Sequence, residues 1–403
     1  MKKITLSHGS GGVESNRLIK DIFIKHFGNE LEDSAVLDFD FGNAYAFLNE
    51  EKNLTADTAA NSDLHLNEKN RCKLAFTTDS FVVEPLFFAG GNIGNLAICG
   101  TVNDLCAVGA IPLYLSCGFI ISEGIDFALL EKIAISMADT AKEANVKIVC
   151  GDTKVVPRGI AGDRVQGAGD RVQGAGEIPS ATSVNTNELF INTSGIGKIV
   201  LPNVSIKNAR LGDKIILTGN LGDHHACIMS ARMGIANNIK SDVAPLHEIV
   251  NLLYEHMSKK FDLQNTLHTE LQNEFQHTSH TGIHAMRDVT RGGLVTVLSE
   301  LCEMSGVGVN LYEERLPVSE EVRGLCGILG LDPLYMGNEG KMFISVSEDI
   351  ADEILSVIRK AECCKNACII GEVNDTGTLT LTTKLGVKRM LQPLYGEGLP
   401  RIC

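Results

Sequence analysis

Apolar residues follow two periods along this chain, and the two alternate. Leu130, Ile133, Met137 and Ala141 recur every three or four residues, which predicts a helix that packs one apolar stripe on a core. Before it, Ile111 to Ile120 reads as a strand. After it, Lys147-Ile148-Val149-Cys150 reads as a short buried strand that delivers Gly151-Asp152-Thr153-Lys154 at its end. Upstream, a helix-like stretch runs from about Ser15 to Phe27, and Lys73 to Val83 reads as a strand interrupted by an acid, Asp79. Phe87 to Asn92 then turns into a helix on which Ala97, Thr101, Asp104 and Val108 share one face. In the second half, Leu211 to Gly219 is a Gly-Asp turn into a buried strand, and Asp223-His224-His225-Ala226 starts a helix. Leu294, Val297 and Leu301 stripe another helix, which Gly306 ends. Met342 to Val346 and Ala367 to Val373 read as strands, with a helix from Ile350 to Arg359 between them. Periodicity alone therefore predicts a two-domain α/β fold.

Two stretches break the pattern. Within residues 158–187 the unit Ala161-Gly-Asp-Arg-Val-Gln-Gly167 repeats at once as Ala168 to Gly174, the mark of a local duplication in a loop. Lys259 to Thr281 is rich in Gln, His and Thr and reads as an inserted loop.

Composition narrows the function classes. The 403 residues suffice for two or three domains, and 44% hydrophobic content supports substantial cores. A net charge of −14 argues against nucleic acid as a partner. No apolar run is long enough to span a membrane, and Met1 to His8 lacks a signal-peptide core. Twelve Cys without a secretory signal point to reduced thiols and a cytoplasmic location.

Several stretches carry candidate chemistry. His8-Gly9-Ser10-Gly11-Gly12 ahead of a helix can hold phosphate through backbone N–H groups, or can be a flexible lead-in. Asp104 on a small-residue face calls for a cation, or is a capping or surface acid. Asp152 and Lys154 at a strand end are placed to meet phosphate or metal. Asp33, Asp79, Asp104, Asp152, Lys154 and Asp288 each lie beside Gly, Ser, Thr or another small or polar neighbour. Together they suit a magnesium–triphosphate site better than a hydrolase triad, which is nowhere legible. The adjacent His224 and His225 face different sides of a helix, so a zinc site is the poorer reading. Cys363, Cys364 and Cys368 read as free thiols. At the end of the sequence, Gly396, Gly398 and Pro400 lead into Cys403, a layout that suits an arm carrying a sulfur; prenylation is excluded because a CaaX box places its Cys four from the end.

Seven motifs together resemble the HypE family of hydrogenase maturation proteins: His8-Gly-Ser-Gly-Gly12, Thr77-Thr-Asp-Ser80, Gly100-Thr-Val-Asn-Asp-Leu105, Gly151-Asp-Thr-Lys154, Arg287-Asp-Val-Thr-Arg-Gly-Gly293, Asn338-Glu-Gly-Lys341 and Pro400-Arg-Ile-Cys403. The likeness covers nearly the whole chain outside the two inserts. The wider superfamily, with aminoimidazole ribonucleotide synthetase and selenophosphate synthetase, shares the acids but not the Cys-terminal tail. Val289 stands where the family commonly has Pro, His225 replaces a Gly, and the repeat lengthens the loop after Lys154.

The resemblance implies ATP and Mg2+ as cofactors. It implies Gly9, Ser10, Gly11, Gly12, Asp33, Asp79, Asn103, Asp104, Asp152 and Lys154 as nucleotide residues, and Asp33, Asp79, Asp104 and Asp288 as metal ligands. It implies that HypF places a carbamoyl group on Cys403, that ATP-dependent dehydration leaves a thiocyanate there, and that the cyanide passes to iron on a HypC–HypD complex. Lys154 would offset phosphoryl charge and Glu339 would be the base, a turn carboxylate being its plainer role. The implied architecture is an N-terminal ATP-binding and dimerisation domain over residues 1–157, the insert 158–187, a return segment 188–209, a C-terminal α/β domain 210–383 and a tail 384–403, with N-terminal domains joining in a homodimeric barrel. The rival expectations are a small-molecule synthetase of the same superfamily and a non-catalytic maturation scaffold.

Overall fold

The computed structural model describes residues 12–18, 20, 34–40, 71–157, 188–267 and 281–394. A short helix α1 (Val13–Leu18) and strand β1 (Ala35–Asp40) come first. In β2 (Arg71–Phe81) alternation sets the two faces: Ala75, Thr77 and Phe81 are buried, while Phe76, Thr78 and Ser80 point outward. A small hairpin, β3 (Phe87–Phe88) and β4 (Gly91–Asn92), then feeds α2 (Ile93–Ala107). Asn92 starts that helix. Its side chain accepts from Gly94 N–H, and the Asn95 side chain accepts in return from Asn92 N–H, both at 2.7 Å. Such a cap is worth about 1 kcal/mol. Leu96, Ile98, Val102 and Leu105 are all fully buried, so α2 is covered nearly all round.

β5 (Ala110–Ser122), α3 (Phe127–Glu143) and β6 (Lys147–Val156) form a parallel crossover, and β7 (Leu189–Ile199) completes a five-stranded sheet in the order β1-β2-β7-β5-β6. The expected stripe on α3 is present, with Ile133, Met137 and Ala141 buried. β6 corrects the expectation of a short buried strand ending at Cys150. Pairing with β5 carries on through Gly118↔Asp152 and Ile120↔Lys154, and the whole strand is exposed or half-buried at the sheet edge. Gly151 marks no turn here. A Cβ there would lie 2.2 Å from the Cys117 carbonyl, so the residue permits close approach within the pair.

The second sheet has seven strands in the order β14-β13-β10-β12-β8-β11-β9. They are β8 (Lys214–Leu217), β9 (Ile283–Asp288), β10 (Gly308–Tyr312), β11 (Met342–Val346), β12 (Cys368–Asn374), β13 (Leu379–Thr382) and β14 (Lys388–Met390). Between them run α4 (Asp223–Met233), α5 (His247–Leu267), α6 (Gly293–Ser305), α7 (Glu320–Leu329) and α8 (Ala351–Ile358). α5 reaches into the stretch expected to be a loop from Lys259 onward. Ile215, Leu217 and Phe343 pack with the α6 residues Leu294, Val297 and Leu301 on one face; Ile216, Met342 and Ile344 pack with Ile354 and Ile358 of α8 on the other. Burial on both faces explains the unbroken apolar run in β8. The α8 layer is continuous with Ile93, Leu96 and Ile133 of α2 and α3, so the two halves share one apolar layer.

Candidate active site

Four segments meet where α2 crosses the end of the second sheet: β2, the end of β9, the turn before β11 and the segment before α5. The turn before β11 is Gly337-Asn338-Glu339-Gly340-Lys341, and each residue is held. The Asn338 side chain accepts from Gly222 N–H at 2.8 Å and donates to the carbonyls of Val289 at 3.0 Å and Met336 at 3.1 Å. Glu339 N–H donates to Asp242 Oδ1 at 3.1 Å. Gly340 is dictated by contact, since a Cβ there would lie 2.0 Å from the Asp242 carbonyl. Lys341 Nζ lies 3.9 Å from Asp242 Oδ2, an oxygen with no hydrogen-bond partner among the described residues.

Asn103 closes the bracket from α2. Its Nδ2 donates to the carbonyls of Ala244 at 3.1 Å and Glu339 at 3.3 Å, and its Oδ1 accepts from Leu246 N–H at 2.7 Å. Only 2% of this side chain's residue surface is exposed. The amide is thus engaged in fixing the Glu339 turn.

Electrostatics mark the same place. Burial pushes Asp288 up to about 6, with Asp79 adding to the rise and Arg287 and Arg291 opposing it. Asp79 is raised by burial against the pull of Arg291. Glu339 is held well above the usual carboxylate range by burial, then by Asp288, Asp242 and Asp79. Burial raises Asp242 as well, and lifts Asp223 to about 6 with the help of Asp242. Five acids against Arg287, Arg291 and Lys341 make a buried site short of positive charge, the setting for a cation carried in with a polyphosphate. Among the described residues no three His, Cys, Asp or Glu side chains converge as a metal cage. Magnesium needs none, because it takes one or two carboxylates together with phosphate oxygens and water. Asp79 and Asp288, close enough for Asp79 to raise Asp288, fit that role.

Residues 56–166 match the family model described as AIR synthase related protein, N-terminal domain, and residues 210–384 match the one described as AIR synthase related protein, C-terminal domain. Carbamoyl dehydratase HypE of Escherichia coli (strain K12) is 37% identical to this chain, with 100% of each covered. The chain belongs to the HypE family. A crystal structure of a HypE–HypF complex is similar at a TM-score of 0.68 and 39% identity, over 94% of this chain and 99% of that one. A crystal structure of HypE in complex with ATP is similar at a TM-score of 0.65 and 38% identity, over 100% of both chains.

The HypE motifs fall in several places. Asp104 receives a hydrogen bond from Thr77 Oγ1 at 2.9 Å, and its carbonyl receives one from Ser34, the neighbour of Asp33, also at 2.9 Å. Asp152 and Lys154 lie apart from the acid cluster. The cross-sheet row Ser80, Asn192, Gly118, Asp152 is the outward one, and Asp79, Thr193, Cys117 and Gly151 form the row behind it. Within one chain Asp152 and Lys154 are exposed and pair with each other. His224 and His225 are both buried, which lowers them to about 3 and about 4, and His224 bonds Ser241 at 2.7 Å. Cys363 and Cys364 are free thiols 3.6 Å apart, and Cys368 is also free. Gly9, Ser10, Gly11, Asp33, Cys403 and the repeat lie outside the described residues. Asp242, in a loop, and Asp223, the first residue of α4, were not foreseen as site residues; a single acid outside a repeating pattern carries no periodic signal.

Proposed function

We propose that this chain dehydrates a carbamoyl group carried on Cys403 to a thiocyanate at the expense of ATP, for the iron of a [NiFe] hydrogenase. The observation that carries the reading is Glu339, a carboxylate buried among Asp288, Asp242 and Asp79 in a turn fixed from both of its backbone ends. An amide oxygen leaves poorly as hydroxide. Transfer of the γ-phosphoryl group to that oxygen breaks the β–γ bridge of ATP, and phosphate then leaves as carbon and nitrogen form the triple bond. The two nitrogen protons must depart in the process; Glu339 takes one and the leaving phosphate carries off the other. Burial and like charge raise its proton affinity, as such an acceptor requires. When bound, Mg2+ supplies positive charge to the transferring phosphoryl group, with Asp79, Asp288, Asp104 and Asp33 assigned to hold it. Arg291 and Lys341 offset charge at the same mouth.

The outer face of the first sheet supports a homodimer. Phe76, Tyr114, Ile120 and Ile196 are 40–48% exposed there, beside β6, an edge strand among the described residues. Lys154 and Asp152 stand on that face, so Lys154 meets nucleotide only where a second copy completes the site. HypF is the proposed carbamoyl donor, in keeping with the HypE–HypF complex of a relative, and HypC–HypD is the proposed cyanide acceptor. Among the described residues no helix is long and apolar enough to cross a membrane.

The test is stoichiometry. With HypF, carbamoyl phosphate and Mg-ATP, the chain should release one phosphate for each carbamoyl group it dehydrates. Glu339→Gln should bind ATP and accept the carbamoyl group yet fail to lose water. Full dehydration by Glu339→Gln would remove Glu339 from the mechanism, and ATP turnover with no change in chain mass would favour a small-molecule synthetase.

A further inference from the structure

The stretch His8-Gly9-Ser10-Gly11-Gly12 reads in the sequence as a phosphate cradle or a flexible lead-in, and its last glycine packs on the end of the second half. Gly12 is buried, and a Cβ there would lie 2.6 Å from the carbonyl oxygen of Leu394. Val13 N–H donates to that same oxygen at 3.3 Å. α1 continues from this contact, with Asn16 N–H on Gly12 O at 3.0 Å, and is tied to α6: Asn16 Nδ2 donates to Glu300 Oε1 at 3.0 Å, and Lys20 pairs with Glu303. Glu300 is 8% exposed, and its Oε2 lies 3.1 Å from Arg287 Nη1. Arg287 is the chain neighbour of Asp288. On the other side, Leu391 N–H donates to Leu379 O at 2.9 Å, which ties the segment before Leu394 to β13.

We propose that the Gly12 turn and α1 form a clip that fixes the root of the Cys403 arm, with Gly12 and Asn16 as positioning residues for the dehydration. This rests on the function proposed above. Nine residues follow Leu394 to Cys403, a span of at most about 30 Å when fully extended. A thiol on so short an arm has an effective concentration at its own active site that depends on where the arm starts. The clip fixes that start, and through Glu300 and Arg287 it refers the start to the strand that ends in Asp288. The glycine is required because any side chain at position 12 would push Leu394 away.

The experiment uses the full chain, carbamoylated by HypF and mixed with Mg-ATP. Gly12→Ala should slow conversion of the carbamoylated form by roughly tenfold or more, since misplacement by about an ångström costs factors of this size. Inserting two glycines after Leu394 in the Gly12→Ala background should restore most of the rate, because slack in the arm compensates a misplaced root but repairs neither misfolding nor a lost phosphate contact. Asn16→Ala should slow conversion in the same sense with its affinity for ATP unchanged. Conversion at the wild-type rate in both variants overturns the clip. So does a loss that the glycine insertion fails to restore, or a loss of ATP affinity in Asn16→Ala. If the unsubstituted chain converts nothing, the proposed function has failed and not the clip. Amide exchange at Val13, whose N–H donates to Leu394 O, then decides it: faster exchange in Asn16→Ala supports the clip, and unchanged exchange overturns it.

Discussion

Removing the Asn103 side chain separates a structural bracket from a nucleotide contact. Asn103→Ala deletes three hydrogen bonds and leaves Leu246 N–H and the carbonyls of Ala244 and Glu339 without that partner. At about 1 kcal/mol for each bond the loss is about 3 kcal/mol, and the desolvation of groups left unpaired in a buried setting pushes it toward about 5 kcal/mol. The two halves of the chain would loosen where α2 holds the Glu339 turn, so dehydration should fall more steeply than stability. Urea unfolding followed by far-UV circular dichroism reads the stability, and isothermal titration reads Mg-ATP affinity. The bracket predicts a lower midpoint with an unchanged slope, and ATP affinity within about threefold of the unsubstituted chain, a difference of roughly 0.7 kcal/mol. Unchanged stability together with a large loss of ATP affinity would refute the reasoning and return Asn103 to the nucleotide.

Asp288 has a raised folded-state value, so its contribution to stability is fully present below the unfolded value of 3.8 and is lost as pH rises through about 6. Asp288→Asn should therefore stabilise the magnesium-free chain at pH 8 by up to about 3 kcal/mol and by nothing near pH 3, measured by thermal melts across pH. The same variant, and Asp79→Asn and Asp104→Asn, should weaken Mg-ATP binding in titrations; unchanged affinity in all three would remove the acids from the metal site. Gly340→Ala, which would force a Cβ against the Asp242 carbonyl, should cost about 1–3 kcal/mol or more in unfolding experiments and displace Glu339. Deleting residues 168–174 should leave ATP-dependent activity near that of the full chain, because closure entropy changes by only about 0.6 kcal/mol per doubling of loop length; a large loss would make the repeat a lid or a partner site.

The stripe of α3 and the strands β8 and β11 were legible because period and apolar content report burial directly. β6 was not, because Gly, Asp and Lys read as a loop while the register with β5 keeps them extended. α5 outran its expected limit because its polar residues are good helix formers on an exposed face, where Lys259 still pairs with Glu255. The acids were legible as types within short motifs of small and polar residues, and Asp79 comes near enough to Asp288 to raise it. Their partners were not. The contact of Asn103 with Glu339 joins positions 236 residues apart, and Asp242 acquires its place only when Gly340 packs on its carbonyl. The Leu394 contact of Gly12 was hidden for the same reason, since a glycine suits both a phosphate turn and a tight crossing.

The identity of the modified thiol tests the account most directly. The chain is incubated with HypF, carbamoyl phosphate and Mg-ATP, then digested, and the peptide containing Cys403 is weighed before and after ATP is added. The account predicts a carbamoyl mass on Cys403 that loses one water once ATP is present, and a Cys403→Ser chain that binds Mg-ATP but carries neither modification. An unmodified Cys403 beside a modified Cys363, Cys364 or Cys368 would contradict it.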